Sequence, residues 1–141
     1  MLKKTAIILI ILFFTSINVY GSGIRDIEIF DITKGKVIKV TDSKPKIQKI
    51  AIGYLHEISG VYGKFNPIPD NGYAIRIPLE SSVKVESKWL NVTVDEVIII
   101  FPEGEPPFLM LTDNENRLFC FNFKGDTKKL LKSLAFKINI T

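Results

Sequence analysis

Val97-Ile98-Ile99-Ile100-Phe101 is an unbroken run of apolar, mostly β-branched residues. β-Branched side chains favour extended backbone, and a strand with no polar side in its alternation has to be buried on both faces. The run therefore predicts the central strand of a sheet that is covered above and below. Pro102 to Pro107, with Gly104 inside, ends it.

The flanking segments supply the rest of a sheet. Tyr73 to Leu79 alternates up to Pro78, and Val83 and Val85 alternate with Lys84 and Glu86. Phe108 to Thr112 and Arg117 to Phe123 predict two more strands, joined through Asp113-Asn114-Glu115-Asn116. Trp89 to Val94 fits an irregular strand or a short helical turn. Upstream, Ile27 and Ile29 alternate with charged neighbours, Thr33-Lys34-Gly35-Lys36 provides a turn, and Val37 to Thr41 returns, so residues 24–41 read as a hairpin.

Ile47, Ile50, Ala51, Tyr54, Leu55 and Ile58 follow the spacing of one helical face. Asp42 or Ser43 is expected to cap that helix, Pro45 to occupy its first turn and Gly60 to stop it. Asp126 is expected to cap a second, short helix that turns Leu130, Leu131 and Leu134 inward. Phe136, Ile138 and Ile140 alternate as a last strand or a fraying end. The order predicts a single α+β domain: N-terminal hairpin, amphipathic helix, antiparallel sheet of several strands, short C-terminal helix.

A leader precedes this body. Lys3 and Lys4, the apolar run from Ala6 to Phe14, polar Thr15, Ser16 and Asn18, and the small or β-branched Val19 and Gly21 form the layout of a secretory signal peptide. Residues 1–21 are therefore expected to be removed after Gly21, leaving 22–141 as the domain. The rival reading keeps the segment as a membrane anchor. Its apolar run is short against the about 20 residues that a bilayer core requires.

The formal net charge is +4, from nineteen basic and fifteen acidic residues. Loss of Lys3 and Lys4 with the leader halves it. The remaining basic residues are scattered, which argues against nucleic acid as a partner. Cys120 is the one cysteine, so the chain forms no internal disulfide, and none stands after the apolar leader to carry a lipid.

Catalytic groups find no constellation. His56, the one histidine, falls on the polar side of its helix without a cysteine or second histidine to assist it. Cys120 lies between Phe119 and Phe121, which predicts a buried, inert thiol. The carboxylate pairs Asp95/Glu96, Glu103/Glu105 and Asp113/Glu115 are all expected at turns, where acids serve solubility and turn hydrogen bonding. Phosphate loops, nucleophile elbows and zinc-binding histidine pairs are missing from the sequence, so no cofactor or metal is expected.

Recognition has better candidates. The thirteen-residue connection from Gly60 to Gly72 carries Tyr62, Phe65, Pro67 and Pro69, and long connections commonly hold binding residues. Trp89 either joins them or plugs an edge of the core. The stripe of Phe119, Phe121 and Phe123 reads as core packing. Two helices must also cover strands that are apolar on nearly both sides. One helix per face would do so, as would the long connection on the second face. Otherwise an apolar face stays open to a partner or to a second copy in a homodimer.

The Ile27-x-Ile29 strand, the Gly35 turn, the Thr41-Asp42-x-Lys44 helix start and the Leu130-Leu131 final helix resemble a group of small exported domains of low-GC Gram-positive bacteria, some of them lipid-anchored. The resemblance implies export and a hairpin–helix–sheet order, and carries no catalytic residue across. The expectation is an exported, non-enzymatic domain that binds a protein or a cell-envelope component. A small extracytoplasmic hydrolase using carboxylates and a membrane-tethered accessory factor are the alternatives.

Overall fold

The computed structural model describes residues 25–64 and 67–138; the expected leader, Phe65 and Ile140 lie outside them. The architecture is α+β. Seven strands form one antiparallel sheet: β1 (Ile27–Asp31), β2 (Lys36–Thr41), β3 (Ile58–Val61), β4 (Gly72–Glu86), β5 (Asn91–Pro102), β6 (Phe108–Thr112) and β7 (Leu118–Phe123). Two helices accompany it, α1 (Pro45–His56) and α2 (Thr127–Ser133). The spatial order is β2-β1-β4-β5-β6-β7-β3.

β5 is fourth of seven, as its composition requires. Its odd-numbered residues Val97, Ile99 and Phe101 enter one core with Ile27, Ile29, Ile75, Ile77, Leu109 and Phe121. Its even-numbered Ile98 and Ile100 enter a second core with Phe30, Ala74, Phe108 and Met110. This is the two-residue period of a strand acting on a run with no polar side.

The two helices do not take one face each. Ile47, Ala51, Tyr54 and Leu55 of α1 and Leu130 and Leu131 of α2 all pack into the first core. Tyr62 and Ile68, from the long connection, pack against the second. The apolar strip Phe30–Ile98–Ile100–Phe108–Met110 is buried and is no open face.

Three local expectations are corrected. Neither Asp42 nor Ser43 caps α1: Lys44 holds the cap position with ψ 153° and makes no side-chain cap bond. Pro45 at the first helical position forces the residue before it to be extended, which fixes the boundary there. The Ser43 hydroxyl instead accepts from Gln48 Nε2 at 2.7 Å. Gly60 does not stop the helix, which closes at Glu57, whose N–H reaches the Tyr54 carbonyl at 3.0 Å. Ile58, expected on the helical face, and Gly60 both lie within β3, an edge strand hidden from sequence reading by its brevity and by a bulge between Ile58 and Gly60.

The two predicted segments around Pro78 are one strand. Between Pro78↔Glu96 and Val83↔Val94 the β4–β5 ladder slips, and Leu79 to Ser82 bulge out. Gln48 of α1 repairs the interruption: its Nε2 donates to the Pro78 carbonyl at 2.7 Å and its Oε1 accepts from Glu80 N–H at 3.0 Å. Beyond the bulge the hairpin continues, and Val85, Leu90 and Val94 join the helix-side core. Trp89 to Val94 thus resolves into a turn followed by the start of β5. Gly72 opens β4 with φ +133°, where a Cβ would sit 2.1 Å from the Phe101 carbonyl oxygen. The expected cap of α2 is present, with Asp126 Oδ1 accepting from Lys128 N–H at 2.9 Å.

Candidate functional site

β7 is paired unequally on its two sides. Along β6 the register runs from Leu109↔Phe121 to Thr112↔Leu118. Along β3 it ends at Val61↔Phe121. Past that point the Tyr62 N–H donates to the Cys120 carbonyl at 2.9 Å, and the chain then leaves the sheet. Among the described residues, no strand lies beside Leu118 and Phe119 on that side.

The gap is a depression of about 310 Å³. It is lined by Leu118 to Phe121 of β7, by Trp89, and by Val61, Tyr62, Lys64 and Pro67. Three of the residues singled out in the sequence, Tyr62, Pro67 and Trp89, are therefore brought together. Pro69 is half-buried and falls outside the lining. Phe65 is not among the described residues.

Each wall is held by identifiable contacts. The Tyr62 ring stacks on Phe108 at 3.9 Å and 13°, which fastens the connection to the second core. Burial, with a smaller contribution from Cys120, pushes its hydroxyl above the ordinary tyrosine range. It remains a neutral donor facing Glu105 Oε2 at 3.5 Å. Lys64 pairs with the same carboxylate. Trp89 sits at the tip of the β4–β5 hairpin, 38% exposed, with the Lys88 ammonium 4.7 Å from its ring. Val61 (58%) and Leu118 (43%) add exposed apolar surface at the same rim. Val61, Lys64, Leu118 and Cys120 were not legible as site residues, because their role depends on where β3 ends.

The chemical candidates divide as follows. Cys120 is half-buried in this depression, and burial pushes its thiol up to about 11, so it is a poor nucleophile at neutral pH. His56 is exposed in the last turn of α1. Phe121 is buried and Phe119 and Phe123 pack against the helix-side core, as the stripe predicts. Asp113 serves its turn, accepting from Glu115 N–H at 2.9 Å and Arg117 N–H at 2.8 Å.

One carboxylate pair is not at a turn. Glu96 lies inside β5, 8% exposed, and receives Arg76 Nε at 2.8 Å. The missed signal is the alternation itself, which puts Arg76 and Glu96 on the same inward side as Ala74 and Ile98. Glu28, beside Arg76 on β1, approaches its guanidinium at 3.6 Å. Burial holds the Glu28 carboxyl above its ordinary value, against the opposing pull of Arg76. One arginine contacting two carboxylates in the sheet is a structural arrangement, since its charges are spent on one another.

Glu103 and Glu105 share a separate depression of about 550 Å³ with Thr33, Gly72 and Lys137. Among the described residues no group of acids, histidines and cysteines could hold a metal ion, and no helix is long and apolar enough to cross a membrane. Comparison of the chain with known proteins returned no match to a family model, a curated protein or a solved structure.

Proposed function

We propose that the chain is an exported, non-enzymatic domain that binds a protein, or another component of the cell envelope, at the depression between Trp89 and Tyr62–Pro67. One observation carries the reading. Tyr62 and Pro67 converge with Trp89, distant in the chain, on one depression whose lining includes the exposed apolar residues Val61 and Leu118. Large aromatic side chains with a polar rim are the usual composition of binding hot spots. Export rests on the layout of residues 1–21 and predicts a mature chain that begins at Ser22. The tethered alternative predicts a retained leader, and the intact mass of exported material separates the two.

The binding claim is tested by placing a photo-crosslinking amino acid at position 89 of the full chain in its native cell. A discrete adduct is expected from position 89 and not from position 49, on the exposed side of α1. Equal labelling from both positions, or none from position 89, refutes it. The hydrolase alternative draws on Glu103 and Glu105, which line one depression. It stands second because Glu105 is already engaged by Lys64 and Tyr62.

A further inference from the structure

The peptide unit that opens β4 is held from both sides and is also chemically labile. Asn71 is exposed, and it is the one asparagine of the sequence followed by a glycine. Its carbonyl accepts from the Glu103 N–H at 3.2 Å. The Gly72 N–H, in the same peptide plane, donates to Thr33 Oγ1 at 3.3 Å. Both bonds lie at the long end of the usual range, so they steady the plane without locking it. Glycine is obligatory here, because at φ +133° a Cβ would sit 2.1 Å from the Phe101 carbonyl oxygen. The fold thus demands, directly after an asparagine, the one residue with no side chain to shield its backbone nitrogen.

We infer that Asn71 is a site of spontaneous succinimide formation, a permanent modification whose rate in the folded chain is metered by the bonds to Thr33 and Glu103. The Gly72 nitrogen loses its proton and bonds to the side-chain carbonyl carbon of Asn71. The side-chain amide nitrogen takes up a proton and leaves as ammonia. Water then opens the ring at either carbonyl, giving aspartate or isoaspartate, with no oxidant or cofactor required. The attack needs the 71–72 peptide plane to turn, and turning it breaks both of the bonds that hold it. The inference is independent of the binding reading above.

The position gives the reaction a structural consequence. Both products put a carboxylate where a neutral amide stood, next to Asp70 and within the segment bonded to Glu103. Isoaspartate also lengthens the main chain by one methylene, immediately before the Gly72↔Pro102 pair of the β4–β5 ladder. The Gly72 carbonyl accepts from the Ile32 N–H at 2.9 Å, so the same residue ties β4 to the chain leaving β1. Conversion therefore loosens three segments at one end of the sheet.

The experiment holds the full chain at pH 8 and 37 °C, digests it, and follows each asparagine by mass and by isoaspartyl methyltransferase labelling. Asn71 should convert ahead of Asn91, Asn114, Asn116 and Asn122, which are also exposed. Thr33→Val keeps the side-chain shape, removes the acceptor and should speed conversion about threefold, as loss of one modest hydrogen bond requires. Thr33→Ser should keep the native rate, and the chain unfolded in urea should convert faster than the folded one. Aged protein should unfold at lower urea than fresh protein, and Asn71→Gln should abolish that drift. If any other exposed asparagine converts first, or Asn71→Gln drifts as the native chain does, the site is refuted. If Thr33→Val leaves the rate unchanged, metering by Thr33 is refuted. If Thr33→Val prevents folding, the folded and unfolded rates decide, and equal rates refute the metering.

Discussion

Arg76 offers the sharpest test of how this sheet is held together. Its side chain is buried (3% exposed), with Glu96 at 2.8 Å and Glu28 at 3.6 Å. Arg76→Met keeps the length and apolar stem and removes the cation. Glu96 is then left charged within the protein without its counter-ion. Breaking a buried pair in this way costs about 3–5 kcal/mol. A domain of this size has roughly 5–15 kcal/mol in total. With a urea slope of about 1–3 kcal/mol per molar, the midpoint should fall by about 2 M at pH 7. The deficit should shrink as pH falls and Glu28, already held above its ordinary value by burial, takes up its proton, because an acid whose folded pKa is raised loses its stabilising contribution as pH rises. Arg76→Met combined with Glu96→Leu should recover part of the loss, since the closer of the two stranded carboxylates is gone while Glu28 remains. Urea melts of the three proteins at pH 4 and pH 7 supply the data. A loss under about 1 kcal/mol at pH 7, or one independent of pH, would refute the account of Arg76 as the charge that permits these carboxylates to be buried.

Two further outcomes follow from the same residues and from the recess. Glu28 has its folded pKa raised above 4.5, chiefly by burial, so the stability it contributes is fully present below 4.5 and is lost as pH rises through the raised value. Glu28→Gln should therefore flatten the stability profile between pH 4.5 and 7, and an unchanged slope in urea melts would contradict this. Cys120, pushed up to about 11 by burial, should react with iodoacetamide at pH 8 about a hundredfold more slowly than an unperturbed thiol. A rate equal to that of free cysteine would show the site to be open and polar.

What could be read before folding was whatever a segment says about its own surroundings. The Gly35 turn, the helical face from Ile47 as far as Leu55 but not Ile58, the two-sided burial of Val97–Phe101 and the Asp126 cap each depend on residues within a few positions of one another, and each is present. The misreadings share a different cause. Gly60 resembles a helix stop, but it lies in β3 because β7 supplies a pairing partner from more than fifty residues away. Pro78 resembles a strand end, but Gln48 of α1 satisfies the backbone around it. Glu96 resembles a turn acid, but Arg76 waits across the ladder.

The candidate site divides in the same way. Sequence reading singles out Tyr62, Phe65, Pro67, Pro69 and Trp89 because long connections commonly hold binding residues, with packing over the sheet as the alternative. The meeting of Tyr62, Pro67 and Trp89 is a tertiary event: the β4–β5 hairpin brings Trp89 to the depression beside β7, and the stack of Tyr62 on Phe108 holds the connection there. Sequence determined the elements, their inward faces and the α+β class, since alternation and helical period are local properties of a chain. Only the packed structure decided that both helices share one face and that β3 stops short of Leu118, because strand adjacency is settled by which distant backbones satisfy one another's hydrogen bonds.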